Sequence, residues 1–531
     1  MLKETNQKVE LMGWKGPKKS VVVNEPAYKE VLGNLERSVF AVATEQGAGL
    51  SNLGAPAAKG DALMGYAPPV RPQDLGDSKF GELFGVELAY FAGSMANGIS
   101  SVELVVALGK AGILASFGAG GLGMDQVAQA IGQIQKELPQ GPYAFNLIHS
   151  PNEKALESGA VELFLKHKVP VIEASAFLDL TSSVVLYRVK GLKKVSGKVV
   201  AQNKIIAKVS RREVAQKFMN PAPENLLAQL VGEGLITTAE AQLAAEVPMC
   251  DALIVEADSG GHTDNRPLVN LLPSMLSLRN EIQSERNYRN PILIGAGGGI
   301  GTPEAALGAL MMGAAFVVTG SVNQACVESG TSDQVRKLLA EATMADVIMA
   351  PASDMFEQGV KLQVLRRGTL FAMRAQKLYE LYTKYSSIEE IPPAERTKIE
   401  KQLFQKGLDE VWSDCVAFFS NRDPQELAKA EQNPKKKMAL VFRWYLGQSS
   451  HWAKAATSGR AMDYQIWTGP AMGAFNDWVR GSYLEQPENR DVVSVAMELM
   501  KGAAYFARLR SLEIQGVRFG LAVSDFRPQR K

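Results

Sequence analysis

Cysteine is nearly missing from this chain of 531 residues: Cys250, Cys326 and Cys415 are the three it has, far apart and odd in number. They form no C-x-x-C pair, so neither a disulfide framework nor a cysteine zinc site is indicated, and a reducing, cytoplasmic setting is expected. Histidine is almost as scarce. The four, His149, His167, His262 and His451, include no pair at ligand spacing, so no metal centre is expected. No run of about 18 apolar residues exists, which argues against a membrane span. The start, Met1-Leu-Lys-Glu-Thr-Asn, has no apolar core of a signal peptide. An excess of one charge is also lacking. Lys and Arg total 58 against 56 Asp and Glu, and a net charge of +2 argues against a nucleic-acid binder. The short run Lys435-Lys436-Lys437 reads as a solvated helix start. Neither a G-K-[ST] phosphate loop nor a G-x-S-x-G elbow occurs, so nucleotide hydrolysis and serine hydrolysis are not suggested.

What is present is the composition of an ordinary globular enzyme, 46% apolar and 21% charged. The length calls for a large core domain with additions. Residues 1–83 read as an extension covering one end of that core, with short strands at Ser20-Val-Val-Val-Asn24 and Val39-Phe-Ala-Val-Ala43 and a loop from Gly60 to Gly76. From about residue 84 a strand-then-helix unit repeats. Strands are expected at Leu88–Ala92, Ile113–Phe117, Tyr143–Ile148, Val169–Glu173, Lys204–Val209, from Ala252 through the run Leu253–Val255, from Ile292 into a glycine-rich end, and at Phe316–Ser321. Asn152 is a plausible cap for a helix over Glu153–His167. After the fourth strand the rhythm breaks, and residues 174–203 read as an insertion. Eight such units between about 84 and 334 favour a closed (β/α)₈ TIM barrel over an open doubly wound sheet. Residues 335–531 are mainly helical by pattern, including a long stretch from Ile388 to Ser420, and read as a C-terminal helical subdomain and terminal segment. The aromatics between Phe442 and Tyr483 read as a packing layer, with a docking surface or a substrate-tunnel wall as the functional alternative.

The chemistry concentrates at strand ends. The apolar run Leu253-Ile254-Val255 stops abruptly in Asp258-Ser-Gly-Gly-His262. Gly260 and Gly261 let the backbone approach a flat or bulky ligand closely, and His262 directly after them can present its imidazole. The next strand ends in Gly295-Ala-Gly-Gly-Gly-Ile-Gly301 before a helix opened by Thr302-Pro-Glu304. Thr319-Gly320-Ser321 ends the last strand. Together these two segments describe a phosphate cradle of backbone N–H groups after strands seven and eight of a barrel. Gly118-x-Gly-x-x-Gly123 matches a dinucleotide fingerprint on paper, but the following strand carries Asn146 where an acidic residue belongs. It reads instead as a tight strand-to-helix loop facing a ligand.

Asp258-Ser-Gly-Gly-His-Thr-Asp-Asn-Arg-Pro267 with Gly297-Gly-Gly-Ile-Gly-Thr-Pro-Glu304 resembles the flavin-dependent enoyl reductases of polyunsaturated fatty acid synthases (the PfaD branch) and of trans-acyltransferase polyketide synthases. The wider superfamily holds nitronate monooxygenases and FabK-type enoyl reductases. Ala350-Pro-Ala-Ser-Asp-Met-Phe-Glu357, Gln363–Arg374 and Trp467-Thr-Gly-Pro-Ala-Met-Gly-Ala-Phe-Asn476 are similar to the PfaD branch and not to short nitronate monooxygenases. The resemblance covers about residues 85–515. It implies FMN held in the barrel, with NADPH or NADH as hydride source. Carried over by position, Gly93, Ser94 and Met95 lie against the flavin ring, and Asn146 and Lys208 contact its polar edge. Gly261 and His262 sit at the active site, and Gly297, Gly298, Gly299, Thr319, Gly320 and Ser321 hold the phosphate. The implied substrate is an enoyl thioester on acyl carrier protein, within a polyketide or fatty acid synthase. The carrier would dock on the insertion 174–203 or the helical subdomain. Homo-oligomers are common among such enzymes. The competing reading is an oxygenase of the nitronate monooxygenase type.

Overall fold

The computed structural model describes residues 12–149 and 154–530. Its centre is a closed barrel of parallel strands in sequence order. They are β1 (Tyr90–Ala92), β2 (Leu114–Phe117), β3 (Ala144–Ile148), β4 (Val171–Ser175), β5 (Lys204–Val209), β6 (Ala252–Glu256), β7 (Leu293–Gly297) and β8 (Phe316–Thr319). β8 closes on β1 with Val317 opposite Tyr90 and Thr319 opposite Ala92. The strands read as short apolar runs because both faces are covered: helices lie outside, and Phe91, Leu114, Val171, Ile206, Ile254 and Phe316 fill the inside. Gly295 belongs to this filling. A Cβ there would lie 2.3 Å from Phe316 Cζ, so this glycine makes room for an aromatic ring and not for a ligand.

The N-terminal end of the barrel is shut by the helix Ser78–Phe84. Phe80 stacks on Phe316 at 4.3 Å between centroids, and Lys204, at the start of β5, donates to the Leu83 carbonyl at 2.6 Å. The rest of the N-terminal extension does not cover the barrel end. Gly13–Lys15, Val39–Thr44, Gly47–Ser51, Ala55–Ala57 and Asp61–Ala67 form an antiparallel sheet on the flank of the last helix, Val492–Ile514. The strand expected at Ser20–Asn24 is a single bridge, Val22 to Leu50, preceded by a 3₁₀ turn at Lys18–Ser20. The loop expected from Gly60 begins instead with the strand Asp61–Ala67. Its Gly65 is needed because a Cβ would stand 3.1 and 3.2 Å from Val517 and Leu512 side-chain atoms. The glycines that suggested a loop serve close packing instead: Gly60 against the Trp14 backbone, Gly65 against the end of the last helix, and Gly76 against Ala89 and the Ala315 carbonyl. Arg508 of the last helix, 1% exposed, donates to the carbonyls of Leu32, Asn34 and Arg37 and anchors the extension.

Seven outer helices follow the first seven strands: Val102–Lys110, Met124–Glu137, Lys154–Lys166, Ser182–Val189, Arg212–Met219, Leu268–Arg286 and Pro303–Met311. The expected break after β4 is therefore much smaller than residues 174–203. Ser182–Val189 is the regular fourth helix, capped by Thr181, and only the hairpin of Lys193–Val195 with Lys198–Val200 is added. The cap proposed at Asn152 lies outside the described residues. After β8 the chain makes only the four-residue turn Ser321–Gln324. The eighth place in the ring is taken by Val492–Ile514, packed between Pro303–Met311 and Val102–Lys110. Gly502 permits the approach, since a Cβ would lie 2.4 Å from Pro303 Cγ. The barrel thus recruits a helix from the 335–531 segment, and the helical subdomain is spliced in before it.

That subdomain has its own core, built on Phe371–Lys384, Leu408–Arg422 and Pro434–Ala455 around Phe356, Phe404, Phe442 and Tyr445. The single helix expected over Ile388–Ser420 is broken. Pro393–Ile399 widens into a π turn over Glu400–Phe404, stops at Gln405 with φ 57°, and restarts after Gly407. The lysine run does start a helix, capped by Asn433, but its lysines are half-buried and paired rather than freely solvated. Lys435 donates to the Tyr382 and Tyr385 carbonyls, and Lys436 pairs with Glu357 and Glu426 at 2.7 Å each. Most of the aromatics from 442 to 483 are core, including Phe442, Tyr445, Tyr464, Phe475 and Trp478.

Candidate active site

The C-terminal ends of the strands surround a cleft of about 230 Å³. The loop after β1 supplies Gly93, Ser94 and Met95; β5 supplies Lys208; the loop after β6 supplies Gly261 and His262. Gly297 ends β7 with Gly298 and Gly299 after it, and Thr319 ends β8 with Gly320 and Ser321 after it. All of these line the cleft. Asn146 does not. It is 4% exposed and lies under the cleft floor, donating to the Glu173 carbonyl and Ser175 Oγ at 3.1 Å each. The Gly118–Gly123 loop also stays out of the cleft. A Cβ on Gly118 would lie 1.8 Å from the Met95 carbonyl oxygen, so that glycine seats the neighbouring loop of β1 rather than facing a ligand.

The β1 loop is tightly specified. Met95 N–H donates to Ser100 Oγ at 2.9 Å, and Ser94 N–H donates to Glu173 Oε2 at 2.8 Å. Glu173 is fully buried, and its other oxygen stands 3.2 Å from Lys208 Nζ. Glu256, at the end of β6, approaches the same ammonium at 3.6 Å. Burial would push Lys208 down, but the two carboxylates outweigh it and hold the ammonium charged above its usual range. The cleft floor therefore carries a fixed cation between two carboxylates.

The glycines divide by role. A Cβ at Gly261, Gly299 or Gly320 would meet no atom within 4 Å, so these positions face open space. Gly298 and Gly299 have φ of 84° and 78°, the left-handed region that favours glycine. The N–H groups of Gly298, Gly299 and Gly320 have no hydrogen-bond acceptor among the described residues. Open space beside unengaged amides after β7 and β8 is a fitting cradle for a phosphate.

His262 is set by the helical subdomain. Gly261–His262 forms a short strand with Lys361–Leu365, His262 opposite Leu362, and Val347–Pro351 completes the sheet. Gln363 of that sheet donates to Asp258 Oδ1 and the Ser259 carbonyl at 2.9 and 2.8 Å, and Asn265 donates to Asp258 Oδ1 at 2.9 Å. His262 Nε2 lies 3.1 Å from Asp354 Oδ1. Burial pulls the imidazole down, but the hydrogen bond and charge of Asp354, with Glu256 behind, raise it above its ordinary value against the opposing Lys208. Trp467, Gly469 and Ala471 roof the cleft, and Gly469 N–H donates to Ser321 Oγ at 3.0 Å.

Sequence reasoning missed Glu173, Glu256, Asp354 and Gln363 as site residues. Glu173 had a signal, a carboxylate closing an otherwise apolar strand. Asp354 had none in spacing, because it meets His262 from 92 residues away. Trp467 belongs to the aromatic-rich stretch and is the member of it that forms a cleft wall.

Residues 78–404 match the family described as nitronate monooxygenase, and residues 385–464 match the inserted helical domain of acyl-carrier-protein S-malonyltransferase. The chain is 52% identical over 463 residues to a polyunsaturated fatty acid synthase component of Thraustochytrium sp., covering 85% of this chain and 31% of that protein. It is 46% identical over 437 residues to polyketide biosynthesis protein PksE of Bacillus subtilis, covering 82% of this chain and 57% of that protein. The chain thus spans about a third and somewhat over half of these two curated relatives. The crystal structure of the enoyl reductase domain of MlnA, from the macrolactin biosynthesis cluster of Bacillus amyloliquefaciens, superposes with a TM-score of 0.79 at 39% identity. That match covers 82% of this chain and 99% of that one.

Proposed function

The chain belongs to the nitronate monooxygenase family, and from that premise we propose that it is an FMN-dependent enoyl reductase acting on enoyl thioesters carried by acyl carrier protein. The observation that carries this reading is the convergence, in one cleft, of an open glycine cradle, a half-buried cation and a histidine at a barrel's C-terminal end. The enoyl reductase domain of MlnA, aligned over nearly its whole length, supports the reaction class. Relatives from polyunsaturated fatty acid and polyketide synthesis support the pathway class.

The residues fit a flavin mononucleotide. Gly298, Gly299 and Gly320, with Ser321, would hold the phosphate, and Gly93 to Met95 would back the ring. When bound, the flavin supplies hydride transfer, from NADPH or NADH to the β-carbon of the enoyl thioester. Lys208, kept charged by Glu173 and Glu256, would offer its ammonium to the polar edge of the ring. His262 offers an N–H to the thioester oxygen or a proton to the α-carbon, where negative charge develops. Trp467 and the Gly469 segment limit water at the cleft. The helical subdomain is the proposed dock for the carrier protein, supported by its match to a domain found in an enzyme that works on acyl carrier protein.

The test is anaerobic reduction of the purified flavoprotein with NADPH, then addition of an enoyl thioester on carrier protein or pantetheine. Flavin reoxidation with formation of the saturated thioester is the expected result. Membership of the family favours one other reading, oxidation of a nitronate by oxygen. Reduced flavin that ignores the enoyl thioester, in an enzyme that consumes a nitronate and oxygen, would replace the reductase assignment.

A further inference from the structure

We propose that Asp354 is the positioning residue of His262: it holds the imidazole by Nε2, so that Nδ1 is the nitrogen that serves the cleft. This deepens the reductase reading and rests on it only for the reaction that the imidazole serves.

The two side chains arrive from different parts of the molecule. His262 is on the loop after β6, and its backbone is fixed by pairing with Leu362. Asp354 is on the turn between Val347–Pro351 and Lys361–Leu365. That turn is held at several points. Ser353 Oγ donates to the Arg443 carbonyl at 3.2 Å. Phe356 is fully buried against Tyr379, Tyr382 and Phe442. Glu357 pairs with Lys436 at 2.7 Å and with Arg443 at 3.5 Å. Both partners of the 3.1 Å contact thus sit on braced backbone. His262 Nδ1 has no hydrogen-bond partner among the described residues. A carboxylate on one ring nitrogen fixes the ring's orientation and leaves the other for the ligand.

The charges facing His262 come from three elements. Asp354 and Glu256 favour the imidazolium, and Lys208 opposes it; Arg443 in turn faces Asp354. When the ring is protonated, which the carboxylate favours, it carries N–H on both nitrogens, and Nδ1–H is then the proton available to substrate. Reduction then balances. Hydride from the reduced nicotinamide, which a bound flavin would relay, would bond to the β-carbon as the double-bond electrons move to the α-carbon. The Nδ1 proton bonds there, leaving a neutral imidazole whose Nε2–H stays on Asp354 and which regains its proton from solvent.

A merely structural role, tying subdomain to barrel, would not move the titration of His262. The experiment therefore uses the full chain labelled with ¹⁵N-histidine, whose four histidines give a simple spectrum, with His262→Gln to assign the signal. Long-range ¹H–¹⁵N correlations across pH report both the pKa and the tautomer. Asp354→Asn is expected to lower the His262 titration, because it removes the adjacent charge and hydrogen bond that raise it. Asp354→Glu should restore part of it, and it reads the same titration should the amide variant fail to fold. In turnover, the alkaline limb of kcat/KM should move down by the same amount, with kcat falling more than KM. Above that limb the active fraction drops about tenfold per unit. An unchanged His262 titration in a folded Asp354→Asn protein would overturn the proposal. If the titration moves but the wild type does not reduce enoyl thioesters, the reductase reading fails and the positioning role stands.

Discussion

Replacing Lys208 with methionine tests the charge arrangement at the cleft floor most directly. Lys208 Nζ lies 3.2 Å from Glu173 Oε1 and 3.6 Å from Glu256 Oε1. At an effective dielectric of about 20 those separations correspond to gross attractions of roughly 5 kcal/mol each. Desolvation of the three groups offsets much of that. What decides the variant is what remains: Glu173 is fully buried, and its Oε1 has no other hydrogen-bonding partner. Stranding a buried charge typically costs about 3–5 kcal/mol. Lys208→Met should therefore lower the thermal midpoint of the flavin-free protein by about 5 °C or more. Adding Glu173→Gln removes the stranded charge while its side-chain oxygen still accepts from Ser94 N–H, so the double variant should recover roughly 1–3 kcal/mol. Scanning calorimetry on wild type, both single variants and the double variant reads the cycle. A Lys208→Met protein as stable as wild type, or a double variant no better than the single, would refute the coupling.

Gly299→Ala should leave the fold intact, since its Cβ meets nothing, yet weaken flavin binding at least about tenfold by crowding the cradle and straining a left-handed backbone at roughly 1–2 kcal/mol; flavin fluorescence titration measures it. Gly301→Ala places a Cβ 2.2 Å from the Ala471 carbonyl oxygen, so it should loosen the roof and raise proteolytic cleavage near 467–473. The His262–Asp354 pair has a definite pH signature. The raised imidazole contributes stability in full below its unfolded value, lost as pH rises through the folded value. Asp354, held below the usual range by His262 against burial's upward push, contributes above its unfolded value, lost as pH falls through the folded one. The midpoint difference between wild type and Asp354→Asn should therefore be largest between about pH 4 and pH 6.5 and shrink on both sides. Arg508→Met should free the carbonyls of Leu32, Asn34 and Arg37 and cost about 1–3 kcal/mol, seen as faster hydrogen exchange over 31–38.

The barrel is readable because each of its strands is an apolar run stopped by small or polar residues, a pattern that needs no long-range information. The outer ring is harder. Its eighth helix, Val492–Ile514, follows β8 only after the whole helical subdomain, and nothing local in the sequence says that Gly502 will lie on Pro303. The N-terminal sheet is half visible for a related reason: Gly60 and Gly65 look like loop residues until the elements they pack against are known. In the cleft, the residues carried by glycine-rich strand ends do come together, while Asn146, chosen by the same positional logic, lies one layer below. Its Nδ2 donors are taken by Glu173 and Ser175, contacts that require the barrel's register. Asp354 sits in a recognisable motif, but its role is invisible there, because it depends on a turn folded back 92 residues onto His262.

The glycines of the two central motifs also show why a single ligand does not account for them. Gly261, Gly299 and Gly320 face open space, as a cofactor cradle requires. Gly260 and Gly301 face protein: a Cβ on the first would lie 2.7 Å from Thr468 Cα, and one on the second 2.2 Å from the Ala471 carbonyl oxygen. The same motifs therefore bring the open positions proposed for a cofactor and the subdomain's backbone together at the barrel mouth. Cofactor binding there would consequently not be independent of roof docking. The loops that would hold the phosphate are those on which Thr468 to Ala471 rest, and Ser321, in the phosphate cradle, already accepts the Gly469 N–H at 3.0 Å. A roof seated this way brings Trp467 over the cleft while the adjoining sheet brings Asp354 to His262. The polar groups facing the substrate are thereby assembled by the same contacts that close the site. A barrel without the subdomain would keep Lys208 and the glycines but lose the carboxylate that orients its histidine.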